Sequence, residues 1–230
     1  MTVVCDSDAD IILLDENGIA APAKNCPLCP RLVAYREANR AANPAWFNAP
    51  VPSLGKTDVP LLIVGMAPGV RGANRTGRPF TGDHAGILLY ETLLTTGLAT
   101  GNYTAELQDT LMLQGCRVVN AVRCVPPANL PQPAEIRMCN QFLSSELRGL
   151  PNLRAVLALG VLAHAAALQA CGIPASRIRF RHGAIHELPD GLLLANSYHV
   201  SRYNTNTGVL TRAMFVETVQ ALIQRIGLAP

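Results

Sequence analysis

Between Gly65 and Asp83 the chain reads Gly-Met-Ala-Pro-Gly-Val-Arg-Gly-Ala-Asn-Arg-Thr-Gly-Arg-Pro-Phe-Thr-Gly-Asp, with five glycines, three arginines and a single carboxylate. Glycines let the backbone approach a ligand and leave amide N–H groups free for anionic or carbonyl oxygen. The segment lacks the Gly-Lys-Ser/Thr of a P-loop, and no acidic residue closes a following strand as a dinucleotide site requires. Taken alone it is a generic anion loop. Four cysteines make a second group: Cys26 and Cys29 at knuckle spacing, Cys124 ahead of Pro126-Pro127, and Cys139 in a helical stretch. Cys5, Cys116 and Cys171 have no partner at ligand spacing. The chain shows no export signal, and reduced thiols favour ligation over disulfides. Zinc is one reading of Cys-x2-Cys. The distance from Cys124 to Cys139 lacks the second tight knuckle of a zinc ribbon, which leaves room for an iron–sulfur cluster.

These residues need elements to position them. Val59–Met66 is a short, wholly apolar run closed by the glycine-rich loop, the pattern of a strand buried on both faces of a parallel sheet. Further strands are expected over Cys116–Arg123, Arg154–Gly160 and Gly191–Tyr198, with helices over 84–97, from Pro133 to about Gly149, over Val161–Ala170, and over 211–226. Arg179–Leu188 reads as an extra strand or an irregular stretch. The alternation predicts a three-layer α/β/α sandwich around a central four-stranded parallel sheet. Ligands bind such sheets at the carboxyl ends of the strands, so the loops after Met66, Asn120 and Tyr198 should meet. Residues 1–25 read as a weakly ordered acidic segment and 26–230 as one domain.

The 230 residues are 49% hydrophobic, enough for one domain with its own core, and the composition excludes collagen, disordered tails and disulfide-dense mini-proteins. No apolar run reaches the roughly 18 to 20 residues of a bilayer span. The first residues carry acids around an apolar patch instead of a basic signal peptide, so a cytoplasmic protein with no membrane partner is expected. The net charge of +3 is uneven: residues 1–30 hold five acids against Lys24, while the remainder carries +7. Seventeen of the 19 cations are arginine, whose planar fork suits phosphate and base edges; a compositional bias would give the same count.

Four motifs in order, Gly-Met-Ala-Pro-Gly, Gly-Arg-Pro-Phe-Thr-Gly-Asp, Asn-Ala-Val-Arg-Cys-Val-Pro-Pro and Ser-Tyr-His-Val-Ser-Arg-Tyr-Asn-Thr-Asn-Thr-Gly, resemble the uracil-DNA glycosylase superfamily. The similarity is closest to its iron–sulfur branch, family 5, and runs over about residues 26–226. Met66 stands where the neighbouring family 4 carries an acid, as in family 5. Val200 replaces the proline that family 5 usually has in the last motif. The resemblance implies an enzyme that hydrolyses the N-glycosidic bond of uracil, and of other deaminated bases such as hypoxanthine, in DNA; a monomer is expected. It places Cys26, Cys29, Cys124 and Cys139 at a structural [4Fe-4S] cluster.

Such an enzyme must pull a nucleotide from the stack, read its Watson–Crick edge and hold its ring. With the resemblance, Gly65, Met66 and Ala67 become pocket backbone and Phe80 the stacking surface, against the ordinary reading of a core phenylalanine. Asn120 interrupts Val118–Val122, and a buried amide needs partners. It would pair with uracil O4 and N3, or else cap a neighbouring strand. His199 would donate to O2 of the departing base as charge collects there, whereas His84, His164, His182 and His186 read as structural. Asp83 would stabilise a cation-like sugar and orient water, or cap the helix that begins at His84, or both. Arg75, Ser201, Arg202 and Tyr203 are expected at the DNA, the last two wedging the duplex. A silent lesion-binding protein and an electron carrier are the competing classes.

Overall fold

The computed structural model describes residues 12–228. In chain order these form β1 (Ile12–Leu14), β2 (Ala20–Pro22), α1 (Pro30–Ala42), β3 (Leu61–Gly65), α2 (Ala73–Thr76), α3 (His84–Thr95), β4 (Ala99–Thr100), β5 (Met112–Leu113) and β6 (Cys116–Asn120). Then follow α4 (Pro133–Gly149), β7 (Ala155–Leu159), α5 (Val161–Ala170), β8 (Ile185–Glu187), β9 (Leu193–Ser197), α6 (Arg202–Asn206) and α7 (Arg212–Arg225). The central sheet has the order β6-β3-β7-β9-β8.

Four strands run parallel, as expected, and a fifth corrects the count: β8 pairs antiparallel with β9 at the edge, Ile185 opposite Ala195. The segment read as strand or irregular is both, because only three of its residues join the ladder. Side chains alternate across the sheet with period two. Leu61, Ile63, Val118, Leu157 and Ala195 face α3 and α7, while Leu62, Val64, Val119, Val156 and Leu194 face α4 and α5. Each fully buried aliphatic side chain contributes about 1.5 to 3 kcal/mol, so the two cores hold the three layers together. At the opposite edge, Leu54 and Val118 exchange backbone hydrogen bonds of 2.9 and 2.8 Å, which covers β6.

The acidic lead-in divides in two. Residues 1–11 lie outside the described residues; β1 and β2, within residues 12–22, form a hairpin instead of the expected weakly ordered chain. Burial of Ile19 against Gly149 and a 2.8 Å bond from the Ala20 N–H to Ser145 Oγ fasten it to α4.

Candidate active site

Gly65 ends β3 and Asn120 ends β6, its parallel neighbour in register. A Cβ at Gly65 would sit 2.4 Å from Phe80 Cζ and 2.5 Å from Asn120 Oδ1, so ring and amide converge on one α-carbon that must lack a side chain. Asn120 Oδ1 is buried with no hydrogen-bond partner. Buried amides are normally satisfied; this oxygen is enclosed against Gly65 without a partner, in a residue that lines the pocket. The loops after both strands are tied together: Ala121 N–H donates to Gly65 O and Val122 N–H to Met66 O, each at 2.9 Å.

Phe80 has a φ of 54°, a left-handed conformation that costs a bulky residue energy. Three contacts impose it. Tyr103 OH donates to Phe80 O (3.0 Å), Tyr90 OH donates to Pro79 O (2.5 Å), and the Arg78 guanidinium grips the Asp109 carboxylate, with Nη1 to Oδ1 at 2.7 Å. Tyr90 reaches back from the following helix α3 and Tyr103 from 23 residues away, and no local signal marked either.

Asp83 does two jobs. Its Oδ1 accepts from Ala85 N–H at 3.1 Å and caps α3, while Oδ2 lies over Gly69 and Gly72, where added Cβ atoms would come within 2.8 and 2.2 Å. The glycines of the loop thus make room for a carboxylate. Burial pushes the Asp83 carboxyl above its usual range, against the lowering effect of backbone donors and of His84.

The His199 ring centre stands 6.5 Å from that of Phe80, tilted by 35°, and burial lowers its pKa, which favours the neutral imidazole. Asn204 Nδ2 donates to His199 O at 2.8 Å, and Ser201 Oγ accepts from Asn204 N–H to cap α6. The segment expected as a wedge loop is therefore a short helix. Val200, the departure in this motif, is fully buried in the core beneath it.

Met66, Ala67, Phe80, Asp83, Asn120, His199, Ser201 and Arg202 all line one cavity of about 520 Å³; Gly65 is outside that lining, packed directly against the Phe80 ring and the Asn120 amide. Tyr203 is 72% exposed on α6 outside that lining. Arg75 does not reach the cavity: it donates to Arg71 O and to Glu106, 31 residues away, a partner that the sequence does not announce. Arg71 lines the cavity instead. His84, read as structural, also lines it and makes a 3.0 Å bond to Thr205 Oγ1. Asn129 was missed; it follows the Pro-Pro break in a left-handed conformation (φ 55°).

Cys26, Cys29, Cys124 and Cys139 line a second, apolar cavity with Leu28, Leu32, Val122 and Phe142. Arg36 Nη1 lies 3.8 Å from Cys124 Sγ, and Arg123 N–H points at Cys139 Sγ from 3.4 Å. Among the described residues, no three His, Cys, Asp or Glu side chains are grouped so as to hold a single metal ion.

A mostly parallel sheet with helices on both faces, and a cavity over its strand ends that combines a ring, an amide, a carboxylate and a neutral imidazole, defines an α/β protein with its pocket where such sheets bind ligands. The family profile described as the uracil DNA glycosylase superfamily matches residues 52–223, and the chain belongs to that superfamily. It is 44% identical over 221 residues to a type-5 uracil-DNA glycosylase of Thermus thermophilus, covering 94% of this chain and all of that one. Identity is 41% to a type-5 uracil-DNA glycosylase of Mycobacterium bovis, over 82% of this chain and 74% of the relative. A type-4 uracil-DNA glycosylase of Pyrobaculum aerophilum is 32% identical over 67% of this chain and 65% of its own length.

Proposed function

We propose that the protein removes uracil from DNA by hydrolysing the N-glycosidic bond, leaving an abasic site. The observation that carries this reading is the unpartnered Asn120 amide beside the Phe80 ring over Gly65. An everted uracil stacks on Phe80, and aromatic stacking of this kind is worth about 1 to 3 kcal/mol per base. The amide accepts from N3–H and donates to O4. Cytosine presents the reverse pattern on that edge and leaves two buried polar groups unmatched. As the glycosidic bond breaks, negative charge collects on O2, where neutral His199 donates a hydrogen bond. Positive charge collects at the sugar, where the Asp83 carboxylate stabilises it and orients water. Uracil departs as an anion, so one carboxylate suffices.

The apolar Met66 leaves the pocket wall without a charge that would reject a purine, and we extend the substrate class to other deaminated bases such as hypoxanthine and xanthine. Ser201, Arg202 and Tyr203 face the DNA beside the cavity mouth. A [4Fe-4S] cluster held by Cys26, Cys29, Cys124 and Cys139 is the second part of the proposal. Four thiols lining one apolar cavity, with an arginine donor at one sulfur and a backbone amide donor at another, supply the ligand type and the hydrogen bonding that an anionic thiolate-bound cluster uses. When bound, the cluster supplies a cross-link and no electrons, because hydrolysis needs none. The protein is expected to act as a monomer among reduced cytoplasmic thiols.

The test is a base-release panel of uracil, hypoxanthine and xanthine oligonucleotides, scored by alkaline strand cleavage, on the wild type and on Asp83→Ala, Asn120→Ala and His199→Ala. Uracil release lost in the variants supports the reading. A wild type that binds the uracil oligonucleotide without releasing base makes the protein a silent lesion binder instead.

A further inference from the structure

The chain entering β8 reads Arg177-Ile178-Arg179-Phe180-Arg181-His182, and every second side chain faces inward. Ile178 O bonds to His164 Nε2 at 2.9 Å. Phe180 meets the His164 ring edge-on, centres 5.7 Å apart, and packs 6.0 Å from Tyr198. The His182 ring stacks on Tyr198 at 4.8 Å and 8°, and its Nδ1 accepts from the Tyr198 N–H. These anchors leave Arg177, Arg179 and Arg181 exposed in a row.

Among the described residues no carboxylate lies within ion-pair distance of the three, whereas Arg31, Arg75, Arg78, Arg117 and Arg123 each have one. Three unneutralised like charges so close together oppose one another unless an anion joins them. Their position identifies the anion. Because β8 runs antiparallel to β9, the chain before it projects past the carboxyl end of β9, the end that carries His199 and the cavity. Tyr198, against which the row is braced, is the residue before His199. Arg177 closes a short 3-10 turn, Ala175–Arg177, and Ile178 after it is extended. Alternate residues of extended chain recur about every 6.6 Å, so Arg179 and Arg181 suit successive phosphates better than one anion, with Arg177 continuing the row from the turn.

We infer that Arg177, Arg179 and Arg181 form a phosphate track that grips the backbone of duplex DNA flanking the flipped nucleotide. This rests on the proposed action on DNA and extends it to a surface beyond the pocket. Such contacts position the duplex and carry no sequence information.

The test measures binding to an undamaged duplex against salt concentration for the wild type and for the triple variant Arg177→Gln/Arg179→Gln/Arg181→Gln. Each lost phosphate contact reduces the slope of log K against log salt by about 0.9, so the triple variant should be shallower by about 2 to 3. Its single-turnover uracil release at saturating enzyme should match the wild type. The control Arg148→Gln/Arg225→Gln removes exposed arginines elsewhere and should leave the slope in place. If the triple variant does not fold, Arg179→Gln and Arg181→Gln singly should each lower the slope by about one. An unchanged slope, or an equal fall in the control, overturns the track. The readout uses undamaged DNA, so a wild type that releases no uracil removes the repair reading without deciding the fate of the track, and an unchanged slope does the converse.

Discussion

Asp83 combines two demands that oppose each other. As a cap it stabilises α3, but Oδ2 is enclosed over Gly69 and Gly72, and burial holds its proton more tightly than water would. A carboxyl whose folded pKa is raised contributes stability that is present below its unfolded pKa and lost as pH rises through the folded one. Asp83→Asn keeps a good cap and removes the buried charge. The variant should melt no lower than the wild type at neutral pH, with a gap that narrows on acidification toward the ordinary carboxylate range, while uracil release is lost. Wild-type release should rise with pH through the raised pKa of Asp83, because only the carboxylate form stabilises the sugar. Thermal melts and single-turnover rates from acidic to neutral pH check both, and an Asp83→Asn protein that is clearly less stable at neutral pH would remove the argument. For His199→Ala the loss is that of one preorganised donor, about 10²- to 10³-fold in the single-turnover rate, with little change in binding of undamaged DNA. Asp83 and His199 were legible as pocket residues because one closes the glycine-rich loop at the start of α3 and the other follows β9 directly. The Arg75 pairing with Glu106 was not, since 31 residues separate the partners and nothing local joins them.

At the scale of elements, β3 and the loop behind it set the site. Gly65 is the one point where strand, ring and amide meet, and the β3–β6 register puts Asn120 beside it. Gly65→Ala would drive a methyl group into Phe80 and Asn120, both already held, so the pocket closes even though the strand can accept alanine. Uracil release should fall by at least the stacking and pairing energy of one base, on the order of 100-fold, with the melting temperature changing by only a few degrees. A variant with normal release would show that the base does not enter between these groups. β3 and β7 were readable because burial on both faces leaves an uninterrupted apolar run; β6 and β9 keep shorter apolar runs, Val118-Val119 and Leu193-Leu194-Ala195, beside Arg117, Asn120, Asn196 and Ser197. β8 was not, because a three-residue edge strand alternates between sheet and solvent and carries His186 and Glu187. The β1–β2 hairpin was missed for a related reason. Its acids gave the segment the composition of a tail, while the anchoring rests on Ile19 and one backbone bond to Ser145. The helix α6 was hidden too, its polar residues reading equally as a loop.

For the whole molecule, the cysteine cavity joins what the sheet leaves separate. Cys26 and Cys29 precede α1, Cys124 follows β6, and Cys139 lies within α4, so a group held by all four fixes three segments against one another. One of these is the connection that starts at Asn120. A second brace runs beside it: buried Glu146 on α4 pairs with Arg117 and Arg123 and accepts from Ser53, and despite the upward pull of burial these arginines hold its carboxyl below the usual range. The ion pairs span β6 and α4 without any cofactor, so the fold has support that does not depend on the proposed cluster. Loss of the cluster should therefore weaken the protein without abolishing it. Because no such site exists in the unfolded chain, binding energy of the cluster is folding energy. Cys139→Ser should lose iron and acid-labile sulfide and melt lower by about 5 °C or more, the shift expected of a loss of roughly 2 kcal/mol in a chain of this size. Loosening the segment after β6 should raise KM for a uracil oligonucleotide while the pH profile set by Asp83 stays in place. A Cys139→Ser protein that retains full iron, or that loses it with melting temperature and KM unchanged, would show that the four cysteines do not brace the pocket.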